Sequence, residues 1–126
     1  MISVFDVRSV LPSYGESDYI CTIEKGSIVF DIIYDSPKKD DDFAKLRIRF
    51  NSFVFFNISS FPGVSLIDKS YNTDFLGELV EFKESHFKKQ WEKHFENKRS
   101  LKHYNLLLLS SNKQLDIICK DVEINN

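Results

Sequence analysis

The sequence is short of the residues that interrupt or cross-link a chain. Its 126 residues include four glycines, three prolines and two cysteines. The glycines stand apart from one another, so the sequence has no glycine-rich phosphate-binding loop. Cys21 and Cys119 lie far apart in a chain whose first residues, MISVFDVRSV, lack the basic and apolar regions of a signal peptide. We therefore expect no structural disulfide and two thiols that behave as small hydrophobic groups in strand-like segments.

Long apolar runs and a large excess of one charge are also missing. The longest apolar runs, such as Leu106–Leu109, are far too short to cross a bilayer, so we expect a cytoplasmic protein with no membrane partner. The formal net charge is −2, with nine acidic and four basic residues in positions 1–42 and a net of +3 in the remainder. Neither part is basic enough to indicate a nucleic-acid partner.

Aromatic and alternating apolar residues are abundant. Aromatic side chains make up 14% of the chain, enough large rings to build a dense core at this length. The segment AKLRIRF, 44–50, alternates apolar and basic residues with the period of a half-buried strand. Strand patterns lie on both sides of a single helical pattern, without the strand–helix alternation of a parallel sheet. We therefore predict a single domain, 1–126, of the α+β class: a curved, mostly antiparallel sheet or partly open barrel with one packed amphipathic helix.

Three predictions concern how the strands are arranged. The segment SFVFFNI, 52–58, is aromatic on both faces, which predicts a strand in the middle of a sheet. The segment Gln114–Ile124 predicts one continuous final strand. Lys25–Gly26 predicts a hairpin turn between two earlier strands.

The helical pattern lies in ESHFKKQWEKHFENK, 84–98. Phe87, Trp91 and Phe95 recur every four residues and form one apolar stripe, which is typical of a helix that packs on a sheet. Ser85 is a suitable N-cap, because its hydroxyl can accept from an unpaired N–H of the first turn. We therefore predict a helix over residues 85–97.

The same segment holds two of the three histidines, which raises the question of a metal site. A helical zinc site of the metalloprotease type needs two histidines four residues apart. His86 and His94 are eight residues apart, and nothing in the spacing of His103 brings it to them. We therefore predict no metal ligands, and expect each imidazole to be a half-buried amphipathic group.

The run Asp40, Asp41 and Asp42 is the most acidic feature of the chain. It lacks the alternating ligands and the glycine of a calcium-binding EF-hand loop. An acidic loop on a rigid sheet suits a basic protein partner, because complementary charge steers association. Together with Asp35, these residues are the predicted partner-binding residues. No nucleophile elbow or Cys-x-x-Cys motif is present, so we predict no catalytic residues, no cofactor and no enzyme.

Several segments resemble a group of small bacterial proteins, some of them similar to immunity proteins of polymorphic or contact-dependent toxin systems. The segments are FAKLRIRFNSFVFF, SSFPGV, DFLGELVEFKESHFKKQWEKHF and LKHYNLLLLSSNKQLDIICKDVEI. They cover about the last two-thirds of the chain and carry no catalytic signature. The resemblance implies a cytoplasmic protein that binds and blocks a toxin domain.

The leading hypothesis is therefore a non-catalytic immunity protein that occludes a basic cognate toxin, as a monomer or homodimer. A second hypothesis is a small enzyme or metal-binding protein that uses His86, His94 and His103. A third is a homo-oligomeric structural protein that pairs its sheet edges.

Overall fold

The structure is a computed structural model that describes residues 1–37, 42–60 and 76–126. Within these ranges the chain forms nine β-strands, one α-helix and a short 3₁₀ helix, Val7–Ser9. None of the helices there is long and apolar enough to cross a membrane. The elements are β1 (Ile2–Phe5), β2 (Asp18–Glu24), β3 (Ser27–Asp35), β4 (Phe43–Asn51), β5 (Phe55–Ser60), β6 (Leu79–Glu81), α1 (His86–His94), β7 (Lys102–Leu108), β8 (Lys113–Cys119) and β9 (Asp121–Asn125).

The strands form two sheets. The five-stranded sheet has the order β1-β6-β7-β8-β5, and the four-stranded sheet has the order β2-β3-β4-β9. Every pairing is antiparallel. The predicted α+β class, with mostly antiparallel strands and one helix, is confirmed. The strands divide between two sheets and do not close into a barrel.

One bent ribbon connects the two sheets. β4 pairs with β9 in the four-stranded sheet, and their continuations β5 and β8 pair in the five-stranded sheet. At the bend, the Lys120 N–H donates to the Asn51 carbonyl at 3.0 Å. Ser52 adopts a positive φ of 51°, which turns the chain sharply toward the second sheet. Residues on both strands of the ribbon therefore contribute to both sheets.

The core lies between the facing sides of the sheets. The ring centroids of Phe30 and Phe56 are 5.8 Å apart, and those of Phe50 and Tyr104 are 5.9 Å apart. Each pair joins the two sheets, and such ring contacts contribute about 0.5–1.5 kcal/mol beyond the area they bury. The alternation predicted for β4 is confirmed, because its apolar residues face this core. Other buried members are Ile28, Ile32, Leu46, Ile48, Leu79, Leu106, Leu108, Leu115 and Ile117.

The prediction that residues 52–58 form a central strand is wrong. β5 begins at Phe55 and ends the five-stranded sheet, with β8 as its paired neighbour. Both of its faces are nevertheless covered: Phe56 packs into the core, while Phe55 packs against Phe87 and Trp91 of α1. An apolar pattern on both faces of a strand indicates that other elements pack above and below it. The pattern does not indicate whether the strand has paired neighbours on one side or on both.

The segment Gln114–Ile124 is two strands, which corrects the prediction of one. β8 ends at Cys119 and β9 begins at Asp121, and the two strands belong to different sheets. Only Lys120 separates the two strands, so no proline or glycine in the sequence marks the change of sheet.

The predicted turn at Lys25–Gly26 is confirmed, with φ values of 46° and 80°. Positive φ at both central residues is what a type I′ hairpin turn requires.

Helix α1 packs on the outer face of the five-stranded sheet. Ser85 is its N-cap, as predicted, and the Ser85 hydroxyl accepts from the Lys88 N–H at 3.1 Å. The ring centroids of Phe87 and Trp91 lie 4.6 Å and 6.1 Å from that of Phe55. The predicted stripe therefore contacts the sheet, but no residue of α1 is fully buried.

The third ring of the stripe, Phe95, lies just past the helix end. It packs against Trp91 with 6.5 Å between centroids, and the Arg99 guanidinium lies 4.7 Å from its ring centroid. Positive φ values at Glu96 and Asn97 end the helical path. The helix is therefore shorter than the predicted range of 85–97.

Candidate functional site

Two exposed aromatic side chains lie beside the carboxylate at the end of β3. Asp35, the last residue of β3, pairs directly with Phe43, the first residue of β4. Directly opposed residues of an antiparallel pair lie on one face, and Phe43 is 61% exposed. Tyr14 is 64% exposed and donates its hydroxyl to Asp35 Oδ2 at 2.6 Å. We name Tyr14, Asp35, Phe43 and the exposed Asp42 the acidic–aromatic patch.

Asp35 differs from Asp31, which lies two residues earlier on the same strand. Asp31 accepts two hydrogen bonds from Arg47, at 2.8 Å and 3.1 Å, and these bonds lower the pKa of Asp31. Within the described ranges, neither Asp35 nor Asp42 forms an ion pair. Asp35 instead accepts from Tyr14, and this hydrogen bond raises the pKa of the Tyr14 hydroxyl. Tyr14 therefore stays neutral, and no described cation forms an ion pair with either carboxylate of the patch.

The structure describes two of the four predicted partner-binding residues, Asp35 and Asp42. Asp40 and Asp41 lie outside the described residues. Asp35 is half-buried and Asp42 is exposed. The Ser36 N–H faces the Asp42 carbonyl at 3.4 Å, so Asp35 and Asp42 lie near each other where β3 and β4 meet.

Sequence reasoning missed the two aromatic members of the patch. The alternation of β4 carries a signal for Phe43, because Ala44 faces the core and its neighbour must face outward. No sequence signal identifies Tyr14. It lies 21 positions from Asp35, and the packing of the loop before β2 brings the two side chains together.

A chain of buried hydrogen bonds joins the start of α1 to β7 and β8. Ser85 Oγ lies 2.7 Å from His103 Nδ1, and His103 Nε2 lies 2.8 Å from Asp116 Oδ1. Asp116 also accepts from the side-chain amides of Asn105 at 3.2 Å and Gln114 at 3.3 Å. His103 is 1% exposed, so the expectation of a half-buried imidazole is wrong at this position. We name these five residues the polar network.

The distances of the polar network fit more than one placement of the protons, because each imidazole nitrogen can donate or accept. In one placement, Ser85 accepts from the Lys88 N–H and donates its own proton to His103 Nδ1, while His103 Nε2–H donates to the Asp116 carboxylate. The same three residue types form the catalytic triads of hydrolases. Here the ring is reversed relative to the chymotrypsin arrangement, because serine meets Nδ1 and aspartate meets Nε2. Ser85 is also 7% exposed, and its hydroxyl already caps α1.

The two other histidines lie apart from this network. His86 and His94 are exposed on α1, so the expectation of half-buried imidazoles is wrong for them as well. His94 packs against the rings of Trp91 and Phe95 at 5.8 Å and 5.1 Å. In the part of the chain that the structure describes, no three His, Cys, Asp or Glu side chains are grouped so that they could hold a metal ion. The structure therefore does not bring the three histidines together.

The two cysteines occupy opposite environments. Cys119 is fully buried in β8, and burial raises the pKa of its thiol to about 12. Cys21 is exposed on β2, an edge strand, so the expected environment of a small apolar group holds for Cys119 and not for Cys21.

Self-association of the protein through its sheet edges would involve β2. It ends the four-stranded sheet, and Ile20 and Ile23 on it are 52% and 64% exposed. Antiparallel pairing of two β2 strands would bring Asp18 of one copy close to Glu24 of the other. Like charges on facing strands are destabilising, so the ends of β2 oppose such pairing.

No protein-family model matches the chain, and no curated protein matches it significantly. The resemblance to immunity proteins therefore stays a prediction that rests on the sequence segments quoted above. The α+β fold and the geometry of the acidic–aromatic patch are independent of that resemblance.

Proposed function

We propose that the protein is a non-catalytic binding protein, an immunity protein that neutralises a basic toxin domain by covering its surface. The observation that carries the proposal is the acidic–aromatic patch. It combines a carboxylate without a cationic partner among the described residues and two aromatic rings that are each more than half exposed. Aromatic side chains are enriched at protein–protein interfaces, where a polar rim surrounds them.

The two parts of the patch contribute differently to binding. Asp35 and Asp42 attract a basic surface over a distance and raise the association rate. Tyr14 and Phe43 supply large contact area at small cost in side-chain entropy, as aromatic hot-spot residues do. The hydrogen bond from Tyr14 to Asp35 holds one ring in place before the partner arrives. Less ordering is then required on binding.

The rigid sheet beneath the patch favours occlusion as the mechanism. β3 and β4 pair from Ile28 to Asp35 without interruption, so Asp35 and Phe43 are carried by paired strands, and the hydrogen bond to Asp35 ties the Tyr14 ring to them. A basic substrate-binding surface covered by such a patch is closed to its substrate. No chemical step is needed for this inhibition, and its strength depends on the affinity, to which the association and dissociation rates both contribute.

The test begins with capture of the partner from the native organism and sequencing of the gene beside the one for this chain. Binding of the purified partner is then measured for wild type and variants by biolayer interferometry at two salt concentrations. We expect Asp35→Asn with Asp42→Asn to lower the association rate about tenfold and to weaken its salt dependence. We expect Phe43→Ala to weaken Kd about tenfold or more, mainly through faster dissociation.

Glu84→Gln with Glu96→Gln is the matched control, because it also removes two negative charges and both residues are exposed acids that flank α1. It should leave both rates unchanged. Equal losses for this control and the patch variants would mean that net charge, and not the patch, governs binding. The absence of a captured partner and of a toxin gene nearby would overturn the proposal itself.

A second candidate is a serine hydrolase built on Ser85, His103 and Asp116, which the 2.7 Å and 2.8 Å hydrogen bonds favour. Ser85 Oγ would attack an ester carbonyl and pass its proton to His103, which returns it to the leaving alkoxide. Water then hydrolyses the acyl-serine. Asp116 would stabilise the charged imidazole. The burial of Ser85 is why this candidate ranks second.

A fluorophosphonate probe distinguishes the two candidates. A hydrolase would be labelled at Ser85, and Ser85→Ala and His103→Ala would abolish the labelling. A binding protein would show no labelling, while Ser85→Thr, which keeps the capping hydroxyl, would leave its partner affinity unchanged. Mass spectrometry of the intact protein measures the label directly.

A further inference from the structure

An apolar pocket opens beside the acidic–aromatic patch. Its volume is ≈ 480 Å³, within the range of about 300–1,000 Å³ that is typical of ligand pockets. The 3₁₀ helix, the loop that follows it and the end of β7 form its walls. Its apolar lining includes Val7, Leu11, Pro12, Leu108 and Leu109.

A glycine brings the loop against the end of β7. Gly15 has a φ of +86°, and a Cβ at this position would lie 3.1 Å from the Ser110 Cβ. Glu16, the next residue, accepts from the Ser111 N–H at 2.8 Å and anchors the loop. The pocket is therefore a formed feature of the fold, because the close packing of Gly15 on Ser110 and the Glu16 hydrogen bond hold its two sides together.

The pocket and the patch share a residue. Tyr14 lines the pocket and donates its hydroxyl to Asp35 Oδ2 at 2.6 Å. A partner chain that touches both sides of this ring therefore contacts an apolar recess and an unpaired carboxylate in adjacent positions. The two surfaces are continuous.

The charges around the pocket favour a ligand side chain that is flanked by basic residues. Arg8 lines the pocket, but its guanidinium is bonded to Asp6 at 3.3 Å and to Glu78 at 2.9 Å. Glu16 also lines the pocket, and Asp35 lies beyond Tyr14. The surroundings therefore carry more negative than positive charge.

We infer that this pocket receives a large apolar side chain of the partner, flanked in the partner by lysine or arginine that meets Asp35. The inference rests on the proposed function and names the chemistry of the segment that is recognised. Burial of an aromatic or leucine side chain in a pocket, with charge at its rim, is the arrangement of a binding hot spot.

The test uses three blocked tripeptides as probes: acetyl-Lys-Trp-Lys-amide, acetyl-Glu-Trp-Glu-amide and acetyl-Lys-Ala-Lys-amide. Each is titrated into ¹⁵N-labelled protein, and amide shifts are followed by NMR. We expect Lys-Trp-Lys to bind saturably, with the largest shifts at Leu11, Gly77 and Leu109. The two other peptides should bind at least about tenfold more weakly.

Two variants with the same substitution sharpen the test. Ser110→Trp places an indole at the pocket wall and should reduce Lys-Trp-Lys affinity about tenfold or more. Ser100→Trp adds the same ring at an exposed serine that lines a different recess, and should change nothing. Unaltered thermal midpoints show that both variants are folded.

Each contrary outcome has its own meaning. If Lys-Ala-Lys binds as tightly as Lys-Trp-Lys, with shifts confined to Tyr14 and Asp35, the pocket inference fails and the acidic patch stands. If Glu-Trp-Glu binds as tightly, the basic flank is wrong and the inference fails. If no peptide perturbs the pocket, the inference fails, while the proposed function is still judged through Asp42 and Phe43, which do not line the pocket.

Discussion

Replacement of Asp116 by alanine is expected to lower the free energy of unfolding by about 2–6 kcal/mol, because two buried donors lose their acceptor. Asp116 is fully buried, and its Oδ1 accepts from both His103 and Asn105. Alanine leaves these donors without the acceptor they share, in a place that water does not reach. Each such unsatisfied group costs about 1–3 kcal/mol. Urea unfolding followed by circular dichroism measures the change.

Two further variants separate this effect from a general loss of charge. Asp116→Asn keeps one carbonyl acceptor for His103, so it should cost less than alanine. Glu123→Ala removes an exposed carboxylate from β9 and should change stability by no more than about 0.5 kcal/mol. A loss below about 1 kcal/mol for Asp116→Ala would show that the network contributes little to stability.

Replacement of Phe30 by alanine is expected to cost about 3–5 kcal/mol, as for other large core residues. Phe30 is fully buried, and its ring centroid lies 6.2 Å from those of Tyr19 and Phe50 and 5.8 Å from that of Phe56. The contact with Phe56 joins the two sheets. The cavity left by alanine would therefore lie between them, where the strands on both sides are held by their own hydrogen bonds and collapse poorly.

Phe43→Ala is the matched control for Phe30→Ala. Phe43 lies on β4 and is 61% exposed, so its loss should change the free energy of unfolding by no more than about 0.5 kcal/mol. The same variant should weaken partner binding, so one substitution separates stability from function. A similar thermal midpoint for both variants would contradict the proposed placement of Phe30 at the centre of the core.

The candidate site could be predicted only in part from the sequence. Asp35 and Asp42 follow from charge clustering at the end of a strand pattern. The outward position of Phe43 follows from the alternation of β4. Neither the charge clustering nor the alternation of β4 predicts Tyr14. Its contact with Asp35 depends on the path of a loop whose sequence has no periodic pattern. The polar network was missed for a similar reason.

The polar network shows why a periodic sequence pattern does not predict which polar residues are buried. His103, Asn105, Gln114 and Asp116 occupy the alternate positions of β7 and β8, which an isolated antiparallel pair would expose to water. The start of α1 lies over His103, where Ser85 bonds to it, and Asn105 and Gln114 bond to Asp116 within the same buried network. A polar residue in an alternating strand therefore has no fixed environment until the covering element is known.

The sequence by itself determined the α+β class, the strand at 44–50, the turn at Lys25–Gly26 and the capping of α1 by Ser85. Each of these depends on local periodicity or on a single backbone preference, which a few neighbouring residues carry. Only the tertiary structure decided that the strands divide into two sheets at Lys120, that β5 lies at an edge and that Tyr14 meets Asp35. These features depend on which distant surfaces pack together, and that choice is made by the free energy of the whole chain.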